Sequence, residues 1–215
     1  MKPLSDCRLY AFIDTGYLRG RTPAETATEL CKGGADLIQL RAKQSSREQI
    51  RQMAESILPV LRSAGVGLVI NDYPDIACEI GAELCHLGQE DFFDAGHTQV
   101  SEIIPHSPAG KALEIGLSTH GVAQARKALD AGAHYIAIGP VFATDTKPTA
   151  KPVTLDYVRW AAGNVRIPWF AIGGITLNNI DEVVAAGAKR VCVVSAILNA
   201  NDVAAACREF KARLP

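Results

Sequence analysis

The sequence predicts an α/β protein, a closed (β/α)₈ barrel of the TIM type that takes up residues 1–215 as a single domain. Eight short apolar runs alternate with helical segments, related glycine-containing turns recur between them, and no long polar tract interrupts the series. Strict alternation indicates a parallel sheet, and eight units in 215 residues indicate a closed one. The alternative is an open doubly wound sheet, which usually has fewer strands and a glycine-rich fingerprint that the segment IDTGYLRG lacks.

The predicted strands are short, mainly apolar runs without the alternation typical of half-exposed strands, and they are too short for helices. They occupy residues 9–13, 37–40, 67–70, 84–87, 113–117, 135–138, 169–172 and 190–194. We therefore expect strands that are buried on both faces.

A helical segment follows each of these runs. Thr22-Pro23 is typical of a helix start, because a hydroxyl caps the first turn and proline suits the first helical position. The segments occupy residues 22–31, 45–61, 74–80, 100–104, 122–131, 155–162, 177–186 and 202–214. Four of the helix-to-strand turns read GGAD (33–36), IGAE (80–83), AGAH (131–134) and AGAK (186–189), where a left-handed glycine can end the helix.

Composition narrows the functional classes. The formal net charge of −1 provides no global field for nucleic acid or an anionic membrane, so any anion site must be local. The six cysteines form no C-x-x-C pair, which favours structural thiols over zinc or catalysis. The start of the chain does not read as a signal peptide, and no apolar segment approaches the roughly 20 residues of a membrane helix. We expect a cytoplasmic protein, and a homo-oligomer is compatible with the sequence.

Polar residues cluster where the predicted strands end, which is where barrels of this kind carry out their chemistry. Seven consecutive strand ends carry glycine, a hydroxyl, an amide or a charge. In strand order these are Gln39, Arg41 and Lys43; Asn71 and Asp72; residues 88–91; Ser118 and His120; the loop GPVFATDTKPTAKP (139–152); Gly173 and Gly174; and Ser195. The opposite ends carry mostly small turns, so we place the functional site at the carboxyl ends.

The charges among these residues favour a phosphate with a bound metal. Arg41, Lys43 and Lys147 are cations on different loops, and Asp72 and Asp91 are carboxylates on adjacent loops. Mg²⁺ usually takes one or two protein carboxylates and completes its shell with phosphate oxygens and water. The alternative is that Asp72 begins a turn and Asp91 caps a helix. Together with the cations, the metal interpretation is favoured.

A second anion site is indicated at Gly173-Gly174 and Val194-Ser195, because backbone N–H groups after strands seven and eight often hold phosphate in such barrels. Two anion sites in one mouth point to two phosphorylated groups. His120 either contacts a ligand or only orients its neighbours, and His86, inside a strand, is predicted to be a hydrogen-bonded core residue.

Seven segments resemble the thiamine phosphate synthase family, in family order and over nearly the whole chain. They are QLRAK (39–43), IND (70–72), HLGQED (86–91), GLSTH (116–120), GPVFATDTK (139–147), AIGGI (171–175) and VVSAI (193–197). The resemblance implies a Mg²⁺-dependent transferase that joins a hydroxymethylpyrimidine diphosphate to a thiazole phosphate, giving thiamine phosphate and pyrophosphate. These small molecules would be its partners, with no nucleic acid and no membrane.

The resemblance also implies roles for individual residues. The pyrimidine diphosphate would be held by Gln39, Leu40, Arg41, Ala42, Lys43, Asn71 and Lys147, Mg²⁺ by Asp72 and Asp91, the pyrimidine by Ser118, and the thiazole phosphate by Thr144, Asp145, Thr146, Gly174, Val194 and Ser195, with His120 a further ligand-binding candidate. Arg41, Lys43, Lys147 and Ser118 would be the catalytic residues. Neutralising the departing pyrophosphate would allow a cation-like pyrimidine intermediate, which the thiazole nitrogen captures without a protein nucleophile.

Two alternatives lie close by: a thiazole tautomerase of the same barrel group, and a non-catalytic binder of thiazole or thiamine phosphate. The complete QLRAK, IND and HLGQED set argues against the tautomerase, and intact Asp72, Asp91 and Lys147 argue against the non-catalytic binder. The sequence departs from the family pattern at Thr154, where glycine is usual, and in the first loop, so Asp14 receives no role.

Overall fold

A computed structural model describes residues 1–105, 113–144 and 151–215, and its eight parallel strands form a closed barrel in chain order. The strands are β1 (Leu9–Asp14), β2 (Leu37–Arg41), β3 (Gly67–Asn71), β4 (Leu84–Leu87), β5 (Glu114–Thr119), β6 (Tyr135–Ile138), β7 (Trp169–Ile172) and β8 (Val191–Cys192). Each pairs with the next, and β8 closes onto β1 through Leu9 and Tyr10. The predicted barrel is confirmed, and the open sheet is wrong.

Helices pack between consecutive strands. They are α1 (Pro23–Lys32), α2 (Arg47–Ala64), α3 (Pro74–Ile80), α4 (Gln89–Phe92), α5 (Val122–Asp130), α6 (Thr154–Asn164), α7 (Ile180–Ala185), α8 (Ser195–Leu198) and α9 (Val203–Ala212), with 3₁₀ turns at Leu4–Asp6, Thr15–Tyr17 and Val100–Glu102. The first two begin with capping boxes, in which the Thr22 and Ser46 hydroxyls accept hydrogen bonds from the Glu25 and Gln49 amides. No helix in the described part of the chain is long and apolar enough to span a membrane.

The unit after β4 differs from its prediction. Of the helix predicted over 100–104, only the 3₁₀ turn Val100–Glu102 forms, because the apolar stretch is too short to build a helical face. The helix that follows β4 is instead the single turn α4, whose Asp91 carboxylate accepts a hydrogen bond from the Gly88 amide at 3.3 Å. The strand predicted over 190–194 pairs only at Val191–Cys192.

The predicted turns at the amino end of the barrel are confirmed. Gly34, Gly81, Gly132 and Gly187, one in each repeated phrase, have positive φ angles of 83°, 70°, 78° and 105°. A left-handed glycine therefore returns the chain to the sheet in each case.

The side chains of each strand alternate between two cores. In β1, Leu9, Ala11 and Ile13 face the surrounding helices, whereas Tyr10 and Phe12 face the barrel interior. The interior is aromatic, and Gly116 of β5 makes room for it, since a Cβ there would lie 2.0 Å from the Tyr135 ring. The same alternation turns the last residues of β1 and β2 into the barrel mouth.

Candidate active site

The rim of the barrel carries an ion pair between the last residues of β1 and β2. Asp14 and Arg41 are register partners, and the Arg41 guanidinium lies 2.6 Å from the Asp14 carboxylate. Asp14 is buried and also accepts a hydrogen bond from the Gly16 amide at 2.9 Å. Arg41, predicted to bind phosphate, is thus held by a carboxylate to which the sequence assigned no role. Among the described residues, Asp14 is the one side-chain partner of this guanidinium and takes only Nη1, so other N–H groups can meet a ligand.

Beside this pair, a carboxylate cluster follows β3 and β4. Lys43 Nζ lies 2.9 Å from Asp72 Oδ2, and Asn71 Nδ2 donates to the same oxygen at 2.5 Å. Asp72 has a left-handed backbone, with a φ of 68°. Burial raises the pKa of Asp72, and the charge of Asp91 raises it further, so that together they outweigh the opposing effect of Lys43. The structure therefore brings Asp72, Asp91 and Lys43 together, as predicted.

This donor set fits a hard divalent cation. Two carboxylates that raise each other's energy by like charge favour a cation between them. In the described ranges 1–105, 113–144 and 151–215, no group of three or more histidine, cysteine, aspartate or glutamate residues could hold a metal. A site with two carboxylates leaves positions for phosphate oxygens and water, as Mg²⁺ requires. Asp91 also caps α4, as the capping alternative predicts, and the metal role of the two carboxylates stays a prediction.

An uncharged hydrogen-bonded chain lies beneath the rim. Gln39 Nε2 contacts the Tyr10 hydroxyl at 2.5 Å, and Tyr10 contacts Tyr135 at 3.3 Å. His86 lies between the Tyr135 hydroxyl (Nδ1, 3.2 Å) and Ser118 Oγ (Nε2, 2.9 Å). Burial lowers the pKa of His86 to about 4, so its ring is neutral at physiological pH.

The hydrogen-bonded chain confirms one prediction, and it contains two residues that the sequence analysis did not assign to the site. His86 is the buried, hydrogen-bonded histidine that the sequence predicts. Tyr10 and Tyr135 were missed, although a tyrosine inside a buried strand usually needs a partner for its hydroxyl, and this was the available signal. Gln39 is buried, with its amide on Tyr10 rather than out in the mouth.

Other predicted residues of the second strand end lie elsewhere. Leu40 and Ala42 are buried in the core between the barrel and the helices, so any contact they make with a ligand comes from their backbone.

His120, after β5, turns its Nδ1 to the Gly139 carbonyl, which supports the orienting alternative. The His120 amide in turn donates to Gln124 Oε1 at 2.7 Å.

The glycine pair after β7 packs against the start of the loop after β6. The Phe142 amide donates to the Gly173 carbonyl at 3.0 Å, and a Cβ on Gly174 would lie 2.4 Å from the Ala143 carbonyl oxygen. Gly174 has a φ of 64°, and Asn179 Nδ2 donates to its carbonyl at 2.9 Å. The predicted thiazole-phosphate loop is therefore fixed beside the loop that contains Thr144.

Val194 and Ser195 stand at the start of the single-turn helix α8, and their role at a second anion site stays a prediction. The first loop holds the other end of this short helix, because Arg19 and Arg21 donate to the Asn199 and Leu198 carbonyls, each at 2.6 Å. Sequence reasoning missed this clamp. Three predicted site residues, Asp145, Thr146 and Lys147, lie outside the described residues.

Comparisons with known proteins agree with this geometry. The family model described as thiamine monophosphate synthase matches residues 9–197. A thiamine-phosphate synthase of Halalkalibacterium halodurans is 36% identical over 212 residues, covering 96% of this chain and 95% of the relative. Another, of Thermus thermophilus, is 43% identical over 183 residues and covers 85% of this chain and 84% of the relative.

A solved structure adds the same likeness in three dimensions. The thiamine phosphate pyrophosphorylase of Pyrococcus furiosus superimposes with a TM-score of 0.84 at 28% identity, covering 98% of this chain and 96% of that one. Match length, identity and fold thus point the same way as the ordered motifs. The chain belongs to the thiamine monophosphate synthase family and, with it, to the transferases.

Proposed function

We propose that this chain condenses 4-amino-2-methyl-5-hydroxymethylpyrimidine diphosphate with a thiazole phosphate to give thiamine phosphate and pyrophosphate. One observation carries the assignment to this mouth: the Asp72–Asp91 carboxylate pair adjoins Lys43, with Arg41 on the same rim. Neither carboxylates nor cations alone would suit a metal diphosphate. Their combination supports one.

In this proposal Asp72 and Asp91 hold Mg²⁺, which when bound would neutralise charge on the departing pyrophosphate. Arg41 and Lys43 contact the diphosphate oxygens, and the family resemblance gives the same role to Lys147, which lies outside the described residues. Asp14 keeps the Arg41 guanidinium turned to the rim. Because cations from several loops surround the leaving group, its growing charge is stabilised before the bond has fully broken.

The remaining residues position the two rings. Ser118 orients the pyrimidine, Asn71 contacts the same substrate, and the thiazole phosphate is held by Thr144, Asp145, Thr146, Gly174, Val194 and Ser195. The aminopyrimidine releases electrons to its methylene carbon as pyrophosphate leaves, and the thiazole nitrogen bonds to that carbon. No side chain needs to act as a nucleophile, so the protein contributes orientation and exclusion of water. We further propose a cytoplasmic location, with small molecules as its partners.

The test is a reconstitution with purified protein, both substrates and Mg²⁺, in which thiamine phosphate and pyrophosphate are measured. Equal amounts of both products are expected. Conversion of one thiazole phosphate to an isomer without the pyrimidine would support the tautomerase alternative instead. Binding without turnover would support the non-catalytic binder.

The metal assignment has a test that needs no turnover. Mg²⁺ with pyrophosphate should raise the melting temperature of the wild type, since a ligand that binds only the folded state stabilises it. Asp72→Asn and Asp91→Asn should abolish this metal-dependent increment. An undiminished increment in both variants would show that Mg²⁺ binds elsewhere.

A further inference from the structure

The uncharged chain beneath the rim is continuous from β2 to the mouth. It runs through Gln39, Tyr10, Tyr135, His86 and Ser118, with successive contacts of 2.5, 3.3, 3.2 and 2.9 Å. The first four side chains are buried, and Ser118 is the one that is partly exposed. A buried hydroxyl or ring nitrogen must find a partner inside the protein, so its hydrogens can be assigned by counting donors and acceptors.

The Gln39 amide has Nε2, rather than Oε1, facing the Tyr10 hydroxyl, and this orientation sets the direction of the whole chain. Because Nε2 can only donate, the Tyr10 oxygen is the acceptor in that contact. Among the described residues, the other hydrogen-bond partner of the Tyr10 hydroxyl is Tyr135, so the Tyr10 proton lies toward the Tyr135 oxygen. The Tyr135 proton must then lie toward His86 Nδ1, which accepts it.

The direction continues through the imidazole. A neutral histidine that accepts at Nδ1 carries its proton at Nε2, so His86 donates to Ser118 Oγ. A doubly protonated ring would point a second proton at Tyr135 and leave the tyrosine hydroxyl without an acceptor. Ser118 receives this hydrogen bond from below, and within the described part of the chain its Oγ has no second partner, so its own proton is left to point into the mouth.

We propose that this hydrogen-bonded chain fixes the direction in which the Ser118 hydroxyl points its proton, so that Ser118 meets the pyrimidine as a hydrogen-bond donor. The matching ligand atom is an acceptor, such as a ring nitrogen with its lone pair. The inference rests on the proposed function for the identity of the ligand, but the polarity itself follows from the ligand-free contacts. His86, Tyr135 and Tyr10 are positioning residues, since they act through Ser118.

The packing of the interior holds this chain in one arrangement. The Tyr135 ring fills the space over Gly116, and the Tyr10 ring stacks on Phe12 with centroids 5.3 Å apart. The Phe170 ring meets both tyrosines edge-on. Because these rings are locked, the two phenol oxygens cannot turn to other partners.

The direct test is the tautomer of His86, read by ¹⁵N NMR of the ring nitrogens in the ligand-free full chain. The His86 signals are identified by their loss in His86→Gln. We expect protonated Nε2 and unprotonated Nδ1. A ring protonated at Nδ1 would mean that the chain runs the other way, and it would overturn the inference.

Two variants form a matched pair, since each removes one buried phenol oxygen. In Tyr10→Phe, Tyr135 still has a proton to donate to His86, so the Nε2–H tautomer should persist. In Tyr135→Phe, Nδ1 loses its donor, and the Nδ1–H form should appear. If the tautomer changes in both variants or in neither, the directional chain is wrong.

The link to the ligand is read in the kinetics of Tyr135→Phe. The KM for the pyrimidine diphosphate should rise about fivefold, the value of one ordinary hydrogen bond, while kcat and the KM for the thiazole phosphate stay within about twofold. Equal rises in both KM values would indicate general damage and contradict the proposal. If the protein made no thiamine phosphate, the His86 tautomer would still decide the direction of the hydrogen bonds. The affinity of both tyrosine variants for the pyrimidine diphosphate, measured by calorimetry, would then replace the KM measurement.

Discussion

Each end of the barrel holds a carboxylate beside lysine, Asp36 buried and Asp72 partly buried, and the two carboxylates are in opposite electrostatic states. At the amino end, just before β2, Asp36 accepts hydrogen bonds from the Arg8 and Leu9 amides at 2.7 and 2.9 Å and pairs with Lys2 and Lys211. At the mouth, Asp72 has one lysine and faces a second carboxylate.

The pKa values follow this difference. Burial alone would raise the pKa of Asp36, but the Leu9 amide, the two lysines and the Arg8 amide outweigh it, and the pKa is lowered. Burial raises the pKa of Asp72, and Asp91 adds to the effect against Lys43. A buried carboxylate that is fully compensated by cations and amides stabilises the fold, whereas a cluster with surplus negative charge is suited to an added cation.

The largest expected effect comes from changing the mouth. Asp72→Asn should lower the rate of thiamine phosphate formation at least about 100-fold, because the transition state loses a charge-stabilising partner. Its free energy of unfolding without metal should equal or exceed that of the wild type, since the ionised carboxylate is disfavoured there. Steady-state kinetics and urea denaturation measure the two quantities.

Asp75→Asn is the matched control for this change. Asp75 is an exposed carboxylate in α3, paired with Arg47 at the surface. The Asp75→Asn variant should keep the wild-type rate and free energy of unfolding, because exposed ion pairs contribute little to stability. If Asp72→Asn turned over at the wild-type rate, the assignment of Asp72 to a metal diphosphate would be wrong.

At the amino end we expect the reverse, a loss of stability without a loss of activity. Asp36→Ala should lower the free energy of unfolding by about 3 kcal/mol, as breaking a buried ion pair does, because two backbone amides and Lys211 lose their acceptor. At temperatures where the variant stays folded, kcat should be unchanged. Thermal and urea unfolding with a parallel rate assay check this, and intact stability would remove the contrast between the ends.

Acidification should change the stability contributions of the two carboxylates at different pH values. The folded pKa of Asp36 lies below its ordinary value of 3.8, so its stabilisation is present above that value and is lost as the pH falls through the lowered pKa. The folded pKa of Asp72 lies above 3.8, so its favourable contribution is complete below 3.8 and is lost as the pH rises through the raised pKa.

The measurement is the unfolding free energy of metal-free wild type, Asp36→Ala and Asp72→Asn from the acid range to neutrality. The gap between wild type and Asp72→Asn should close first on acidification, as Asp72 becomes protonated. The gap to Asp36→Ala should narrow only at lower pH. The reverse order would contradict both pKa directions.

Sequence pattern was sufficient for the fold because parallel strands buried on both faces read as apolar runs, and glycine turns separate them. It was also sufficient to place Asp72, Asp91 and Lys43 together, since strand ends converge at one rim. It could not show that Asp14 meets Arg41, which depends on the register of β1 against β2. Nor could it show Tyr10 beside Tyr135, because contacts across a closed interior leave no periodic trace.

Short elements were the other gap. The single turn α4 rests on one cap at Asp91 and has no periodic face to recognise. The clamp from Arg19 and Arg21 onto α8 joins residues that are far apart in sequence, so its partners are visible only in the fold. What sequence reasoning missed is mostly the support around the predicted site residues.

The smallest expected effect concerns backbone strain, which also differs between the two ends. Among the described residues, the non-glycines with positive φ are Arg19, Asp72 and Thr154, all in segments that follow the carboxyl ends of strands, with Thr154 as the first residue of α6. The turns of the amino end use glycine, as at Gly34. A β-branched residue at a φ of 62° is strained, and Thr154 stands where the family usually has glycine.

Thr154→Gly should therefore raise the free energy of unfolding by about 1 kcal/mol, after the entropy cost of glycine is subtracted from the relieved strain. Gly34→Ala is the mirror control: its added Cβ would meet nothing within 4 Å, so a loss of about 1 kcal/mol would report the left-handed backbone alone. Urea denaturation of the two variants beside the wild type measures both signs. A destabilised Thr154→Gly would mean that the threonine side chain contributes more than its backbone costs, and strain would no longer distinguish the mouth from the amino end.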